Sequence, residues 1–359
     1  MSAASPIRVV VVDDSPICSE LLRLIVEHEG DAAVVGVANE GERGLEAVKR
    51  LRPDLVLLDL RMPGMDGLTL VERIMSEAPT PILVVTADPA GASREGVFEA
   101  VRRGALDVAR KPDANDPHAA AALRRRVTEL ARVPVVRHLA RRPEAPRAMA
   151  PPIAAASPSV GRITAVGIAA SAGGPSAVAA VLSSLPASFP VPIALVQHLP
   201  AGFAASFATF LESRTALRPR VVSGPVFAGP GEVLLAETDA HLVLRADGRF
   251  DAATGEPVDG HRPSATVLFR SLADTLGARA LGVILSGMGR DGVDGLAAMR
   301  ARGARTIAQD RETSAVFGMP KAALESGAAS EAMRPSDITQ TMLALAGGAG
   351  GARKDEVWS

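Results

Sequence analysis

A single cysteine, Cys18, is all the sequence holds, so no intrachain disulfide can form and the chain suits a reducing compartment. Long apolar runs are missing as well. The first run, Ile7 to Val12, is short and ends in Asp13-Asp14, whereas a secretory signal needs a longer apolar stretch and a small-residue cleavage site. No segment offers the roughly 20 apolar residues that cross a bilayer. Charge of one sign is also lacking: 39 Lys and Arg stand against 40 Asp and Glu, a formal net charge of -1, which gives no basis for a strongly basic nucleic-acid binder. These absences point to a cytoplasmic protein with no direct membrane insertion and no nucleic-acid partner. What is present is 359 residues, enough for two or three domains, of which 47% are apolar, ample for large cores. Ala and Val are the commonest residues, as in α/β proteins whose sheets are covered on both faces.

Three regions follow one another. The first, residues 1–132, alternates short apolar runs with amphipathic stretches. IRVVVVDD, AAVVGVA, DLVLLDL and TPILVVTA read as strands, and PICSELLRLIVEHEG reads as a helix ending at Gly30. This alternation predicts a parallel, doubly wound sheet with functional side chains at the carboxyl ends of its strands. Residues 133–161 are rich in Pro, Ala and Arg without periodicity and read as a linker, partly extended by its prolines. Residues 162–347 begin a new α/β pattern, with ITAVGIAA, PIALVQH and ALGVILSG as buried strands and GEVLLAETDAHLVLRADGRF as a β-hairpin. This region carries 16 Lys and Arg against 16 Asp and Glu, unlike a small basic helix-turn-helix module. Residues 348–359, GARKDEVWS included, read as a flexible tail.

In the first region, Asp13 and Asp14 end the first strand, Asp59 ends DLVLLD, Thr86 ends ILVVT and Lys111 precedes Pro112. A parallel sheet brings all five to one edge. Crowded carboxylates repel unless a cation joins them, and an all-oxygen cluster suits Mg²⁺. A carboxylate can accept a phosphoryl group, and a lysine and a threonine hydroxyl can engage its oxygens. The ordered pieces VVDDS, LLDLRMPGMDG, VVTA and RKP resemble the receiver domain of response regulators. The resemblance implies a flavodoxin-like fold, Asp59 as phosphoacceptor, Mg²⁺ on Asp13, Asp14, Asp59 and the backbone carbonyl of Arg61, and Thr86 and Lys111 as switch residues. One departure stands out: many receivers carry an aromatic three residues before the lysine, and here that residue is Val108.

In the third region, Ser171 follows ITAVGIAA and precedes Ala172-Gly173-Gly174. A small, glycine-rich turn from strand to helix exposes a serine and frees N–H groups for an oxyanion. A serine needs a base. His198, at the end of PIALVQH, is the first candidate by position and His261 the second. Asp291, in SGMGRDG, can orient a histidine, with Asp294 a nearby competitor. The chain order Ser, His, Asp does not weaken a triad, which geometry defines.

The stretches SAGGPSAV, VQHLPAGFAASFA, GHRPSATVLFRSLA, GVILSGMGRDGVDGL, TIAQD and SAVFGMPKAAL resemble, in order, the catalytic domain of chemotaxis protein-glutamate methylesterases. The resemblance implies Ser171 as nucleophile, His198 as base, Asp291 as its partner and the Met288 N–H as an oxyanion donor. It implies demethylation of methyl-accepting chemoreceptors, glutamine deamidation at the same site, a chemotaxis histidine kinase as phosphodonor, and no cofactor for hydrolysis. Two departures are Ala172, where the family often has threonine, and Thr266, where the family's motif has aspartate. Other functions compatible with the sequence are a non-catalytic signalling adaptor and a general phosphorylation-gated esterase.

Overall fold

The computed structural model describes residues 5–86, 96–113, 115–133 and 162–347; the expected linker, apart from Val133, and the expected tail lie outside them. Two compact units divide the chain, Met1–Ala155 with Leu199–Phe210, and Ala156–His198 with Leu211–Ser359.

The first unit holds β1 (Ile7–Val12), α1 (Pro16–Glu27), β2 (Ala32–Ala38), α2 (Gly41–Leu51), β3 (Leu55–Leu58), α3 (Gly67–Glu77), β4 (Ile82–Thr86), α4 (Gly96–Arg102), β5 (Asp107–Arg110) and α5 (Pro117–Leu130). The strands pair in parallel in the order β2-β1-β3-β4-β5. Val9 to Val12 and Leu55 to Leu58 are fully buried, as expected for strands covered on both faces. Local chemistry sets the helix starts. Ser15 accepts from the Cys18 N–H ahead of Pro16, and Asp116 accepts from the Ala119 N–H ahead of Pro117, so each helix has a capping oxygen and a proline in its first turn. Helix α1 stops at Glu27, earlier than the expected Gly30, which instead takes a left-handed turn at φ 75°. Strand order reverses between β1 and β3, and their carboxyl ends flank the crevice such a reversal leaves.

The second unit contains β6 (Ala165–Ala170), α6 (Gly174–Leu182), β7 (Ile193–Gln197), α7 (Ala204–Glu212, whose first part groups with the other unit), β8 (Arg218–Val222), β9 (Glu232–Ala236), β10 (His241–Leu244), β11 (Phe250–Ala253), α8 (Ala265–Leu276), β12 (Ala280–Ile284), α9 (Val293–Ala301), β13 (Arg305–Gln309), α10 (Met319–Glu325), β14 (Glu331–Met333) and α11 (Pro335–Gly347). Seven strands pair in parallel in the order β14-β13-β12-β6-β7-β9-β8. The β-hairpin exists, one strand later than the sequence suggests. GEVLLA forms β9 and joins the main sheet, while β10 and β11 pair antiparallel around Asp247-Gly248. Val233 to Ala236 are buried, so this strand gains more inside a covered sheet than on a two-stranded ribbon. The sheet reverses order between β6 and β12, which places another strand-end crevice there.

Helices α8 and α9 lie so close that a Cβ on Gly295 would sit 2.6 Å from the Thr266 carbonyl oxygen. Backbone cannot yield as a side chain can. We therefore expect Gly295→Ala to destabilise the chain by about 1–3 kcal/mol through overpacking, measured by denaturant unfolding. Gly224→Ala, with nothing within 4 Å of the new Cβ, should leave the midpoint unchanged.

Candidate functional site

At the β1/β3 reversal, Asp13 and Asp59 are buried and Asp14 is exposed. Backbone bonds extend the ladder past the strand ends, Asp13 N–H to Ala38 and Asp59 N–H to Val12, and fix where each carboxylate emerges. One carboxylate oxygen from each of the three lies within 4.8 Å of the others. Lys111 reaches both buried acids, at 2.7 Å from Asp13 and 2.6 Å from Asp59. Its own N–H donates to the Thr86 carbonyl, tying β5's exit to the buried Thr86. Burial pushes the Asp13 carboxyl above the usual range, although Lys111 and the Ser15 N–H pull the other way. Burial would lower Lys111, but the bonds and charges of Asp13 and Asp59 outweigh it and hold its ammonium above the ordinary lysine range. One lysine thus serves two of three clustered acids, a donor set that fits a hard, oxygen-seeking cation such as Mg²⁺. The Arg61 N–H bonds Asp59 at 3.2 Å. Val108 is buried on β5, with its carbonyl taken by Arg126 at 2.6 Å.

The β6/β12 reversal builds the second cluster by strand register. Ser171 N–H donates to the Ser286 carbonyl and His198 N–H to the Ala170 carbonyl, both at 3.0 Å. Ser171 and His198 thus leave the tops of adjacent strands. Gly173, at φ 69°, turns the chain into α6, and a Cβ on Gly174 would fall 2.2 Å from Gln197 Oε1. Glycine meets both constraints without backbone strain or displacement of Gln197. Gln197 Nε2 then bonds the Ser171 carbonyl at 2.8 Å, and Ser286 Oγ bonds the Ala172 carbonyl at 2.8 Å, so the turn is held from both sides. The loop after β12 packs onto it: a Cβ on Gly287 would sit 2.9 Å from Ser171 Cβ. Gly287 donates to Val316 and accepts from Gly318 and Met319, which fixes the peptide presenting Met288 beside the serine.

Buried His198 places Nε2 2.8 Å from Asp291 Oδ2, and its Nδ1, also buried, has no hydrogen-bond partner. Asp291 is buried and collects more donors: Ser264 Oγ at 2.6 Å, Ala265 N–H at 2.7 Å and Thr266 N–H at 3.1 Å. Two of these are the first N–H groups of α8, where a helix favours an anion. Burial alone would raise the Asp291 carboxyl, but the hydrogen bond and charge of His198, the Ser264 hydroxyl and the Ala265 N–H outweigh it and hold it well below the usual carboxylate range. Thr266 Oγ1 accepts from Gly292 N–H at 2.8 Å and so locks the residue after Asp291. His241 Nδ1 accepts from the Ser264 N–H at 3.1 Å. The competing Asp294 points elsewhere, to Arg290 at the surface. His261, the second candidate base, stacks flat on His198, with centroids 3.9 Å apart and planes 8° apart.

The structure therefore brings together Ser171, His198, His261, Asp291 and the Met288 loop. Ser264, Gln197 and Ser286 are additions to the sequence reading. Ser264 did carry a signal, a serine just before an apolar helical run, but it faces an acid rather than capping its own helix. Among the described residues no helix is long and apolar enough to cross a membrane.

A depressed carboxylate stabilises the fold above its unfolded-state pKa and loses that contribution as pH falls through its folded value. Asp291→Asn should therefore lower the unfolding midpoint at pH 7. The gap to the unsubstituted chain should narrow as pH drops below about 4, near the unfolded aspartate value. Denaturant titrations between pH 7 and pH 3 measure this, and a gap independent of pH would contradict it.

Two family models match the chain, CheB methylesterase over residues 166–342 and response regulator receiver domain over residues 9–122. A protein-glutamate methylesterase/protein-glutamine glutaminase of Anaeromyxobacter dehalogenans is 44% identical over 95% of this chain and 97% of its own length. Another of the same name, from Syntrophus aciditrophicus, is 41% identical over 95% of this chain and 99% of its own. The crystal structure of the Thermotoga maritima CheB methylesterase catalytic domain is 34% identical, with a TM-score of 0.49, covering 51% of this chain and 98% of that one. With two relatives above 40% identity over nearly their full lengths, the chain belongs to the family of receiver-bearing protein-glutamate methylesterases.

Proposed function

We propose that the chain is a phosphorylation-activated serine hydrolase that removes γ-methyl esters from glutamates of methyl-accepting chemoreceptors in the cytoplasm, and deamidates glutamines at the same site. The observation that carries this is the His198–Asp291 bond at 2.8 Å, which leaves Nδ1 as the base nitrogen at the strand end next to Ser171. With its hydrogen on Nε2 and shared with Asp291, His198 takes the Ser171 proton at Nδ1. Ser171 Oγ bonds the ester carbonyl carbon, and the Met288 N–H stabilises the oxyanion. His198 then passes the proton to the departing methoxide, and methanol leaves. Water, deprotonated by the same nitrogen, cleaves the acyl-enzyme, and the proton returns to Ser171. Ionised Asp291 keeps the histidine in the required tautomer and offsets the imidazolium. A glutamine amide passes through a similar tetrahedral intermediate and releases ammonia. Nucleophile, base and acid are all side chains, so the scheme calls on no cofactor for hydrolysis.

Control belongs to the first cluster. Asp59 accepts the phosphoryl group from a chemotaxis histidine kinase, and Lys111 and Thr86 engage the phosphoryl oxygens. Mg²⁺, held by Asp13, Asp14, Asp59 and the Arg61 carbonyl, would neutralise charge during transfer. Support comes from the acids' proximity and from the lysine between them.

Methanol release from a methylated receptor tests the scheme. Ser171→Ala and His198→Ala should each lower kcat by at least about 10³-fold, and the double variant should be little worse, since triad members act as a unit. Full turnover by Ser171→Ala would remove the acyl-enzyme. Asp59→Asn should lose both Mg²⁺-dependent labelling by a small acyl phosphate and the accompanying rise in methanol release. Labelling of that variant at the wild-type level would place the acceptor elsewhere.

A further inference from the structure

The Asp291 bond holds His198 at one edge of its ring. A single hydrogen bond fixes that edge but leaves the ring free to tilt about it, and tilt swings Nδ1 away from the serine. The face needs a second restraint, and one is present: the His261 ring lies 3.9 Å from that of His198 and within 8° of parallel. The stack is set by backbone, not by the His261 side chain alone. His261 and Val258 exchange N–H···O bonds at 3.0 and 3.1 Å, and Arg262 reaches the Gly255 carbonyl at 2.7 Å. Three residues on, Ser264 bonds Asp291. One short segment therefore holds the base by its face and the acid by its carboxylate.

We propose that His261 is a positioning residue for the hydrolysis, an aromatic plate that keeps the His198 ring in the plane that aims Nδ1 at Ser171. This rests on the reading of Ser171 as nucleophile and His198 as base. Its role is that of a π-face: planar, in contact across the ring, and compatible with the imidazolium that forms when His198 takes the serine proton. A non-aromatic side chain in its place lets the ring tilt, and small misplacements of a catalytic group are costly in rate. Substrate binding is a separate matter, so the loss falls on kcat rather than on KM.

The test uses the full chain with His261→Ala, His261→Gln and His261→Phe, alongside Ser171→Ala. Two quantities are read: kcat and KM for methanol release from methylated receptor, and the second-order rate of labelling by a serine-directed fluorophosphonate. Because the segment's backbone bonds do not involve the side chain, all three His261 variants should still unfold in a single cooperative thermal transition. The Ala and Gln variants should each lose about tenfold in kcat with KM within about twofold, and labelling should slow in parallel. The Phe variant, which keeps the plate and removes the ring nitrogens, should recover to within about threefold of wild type. If Ser171→Ala is inactive but His261→Ala stays within twofold of wild type in both readouts, the positioning role is overturned and the serine mechanism stands. A Phe variant as slow as the Ala variant also overturns it, since a ring nitrogen rather than the plate would then be required. Turnover by Ser171→Ala would overturn both.

Discussion

The catalytic unit is organised around one buried negative charge. Asp291 has no exposed side-chain surface and accepts from His198 Nε2, Ser264 Oγ and two N–H groups at the start of α8. A buried carboxylate is tolerable only when such donors replace water. Each donor in turn fixes a piece of the site. Through His198, Asp291 sets the proposed base. Through Ser264, it sets the segment that carries His261. Through the α8 terminus, it seats the helix against α9, where Gly295 and Thr266 meet at backbone distance. Ser171 is placed by different means, strand register and a glycine turn, so the proposed nucleophile and the proposed base are positioned independently at the sheet's order reversal.

The receiver repeats the logic with the opposite excess. There a single lysine serves two buried acids, and the Asp13 carboxyl sits above its usual range because burial is incompletely offset. Asp291 has a full complement of donors and is held ionised, whereas the Asp13 cluster is short of positive charge. That difference matches the proposed roles, a permanent orienting anion in one unit and a site for cation and phosphoryl chemistry in the other.

Much of this was legible in the sequence because it depends on order along strands. In a parallel sheet a residue just after a strand must emerge at the carboxyl edge, so Asp13, Asp59, Ser171, His198 and Asp291 could be gathered from one-dimensional positions. Local pattern alone did not separate Asp291 from Asp294, which follow the same glycine-rich turn; the resemblance favoured Asp291, and the structure shows it buried at the start of α8 while Asp294 pairs with Arg290. The hairpin was displaced by one strand because β9 reads equally well as a ribbon strand or a sheet strand. Burial between β7 and β8 decides it, a tertiary effect that local pattern does not carry. The role of Ser264 and the stacking of His261 were likewise invisible, since both depend on a loop arriving from another part of the chain. Thr266, a departure from the family motif, turns out to accept the Gly292 N–H and to donate its own to Asp291, so it takes part directly in holding the acid and the residue after it.

The central claim is that Asp291 fixes which nitrogen of His198 carries the hydrogen. Nitrogen NMR of imidazole-labelled protein at neutral pH reads this directly, with the His198 signals assigned by their loss in His198→Gln. The account predicts the Nε2–H tautomer with an unprotonated Nδ1, and loss of that preference in Asp291→Ala. A His198 with its hydrogen on Nδ1 in the resting protein would contradict it, because the nitrogen left to accept the Ser171 proton would then be the one that faces the carboxylate.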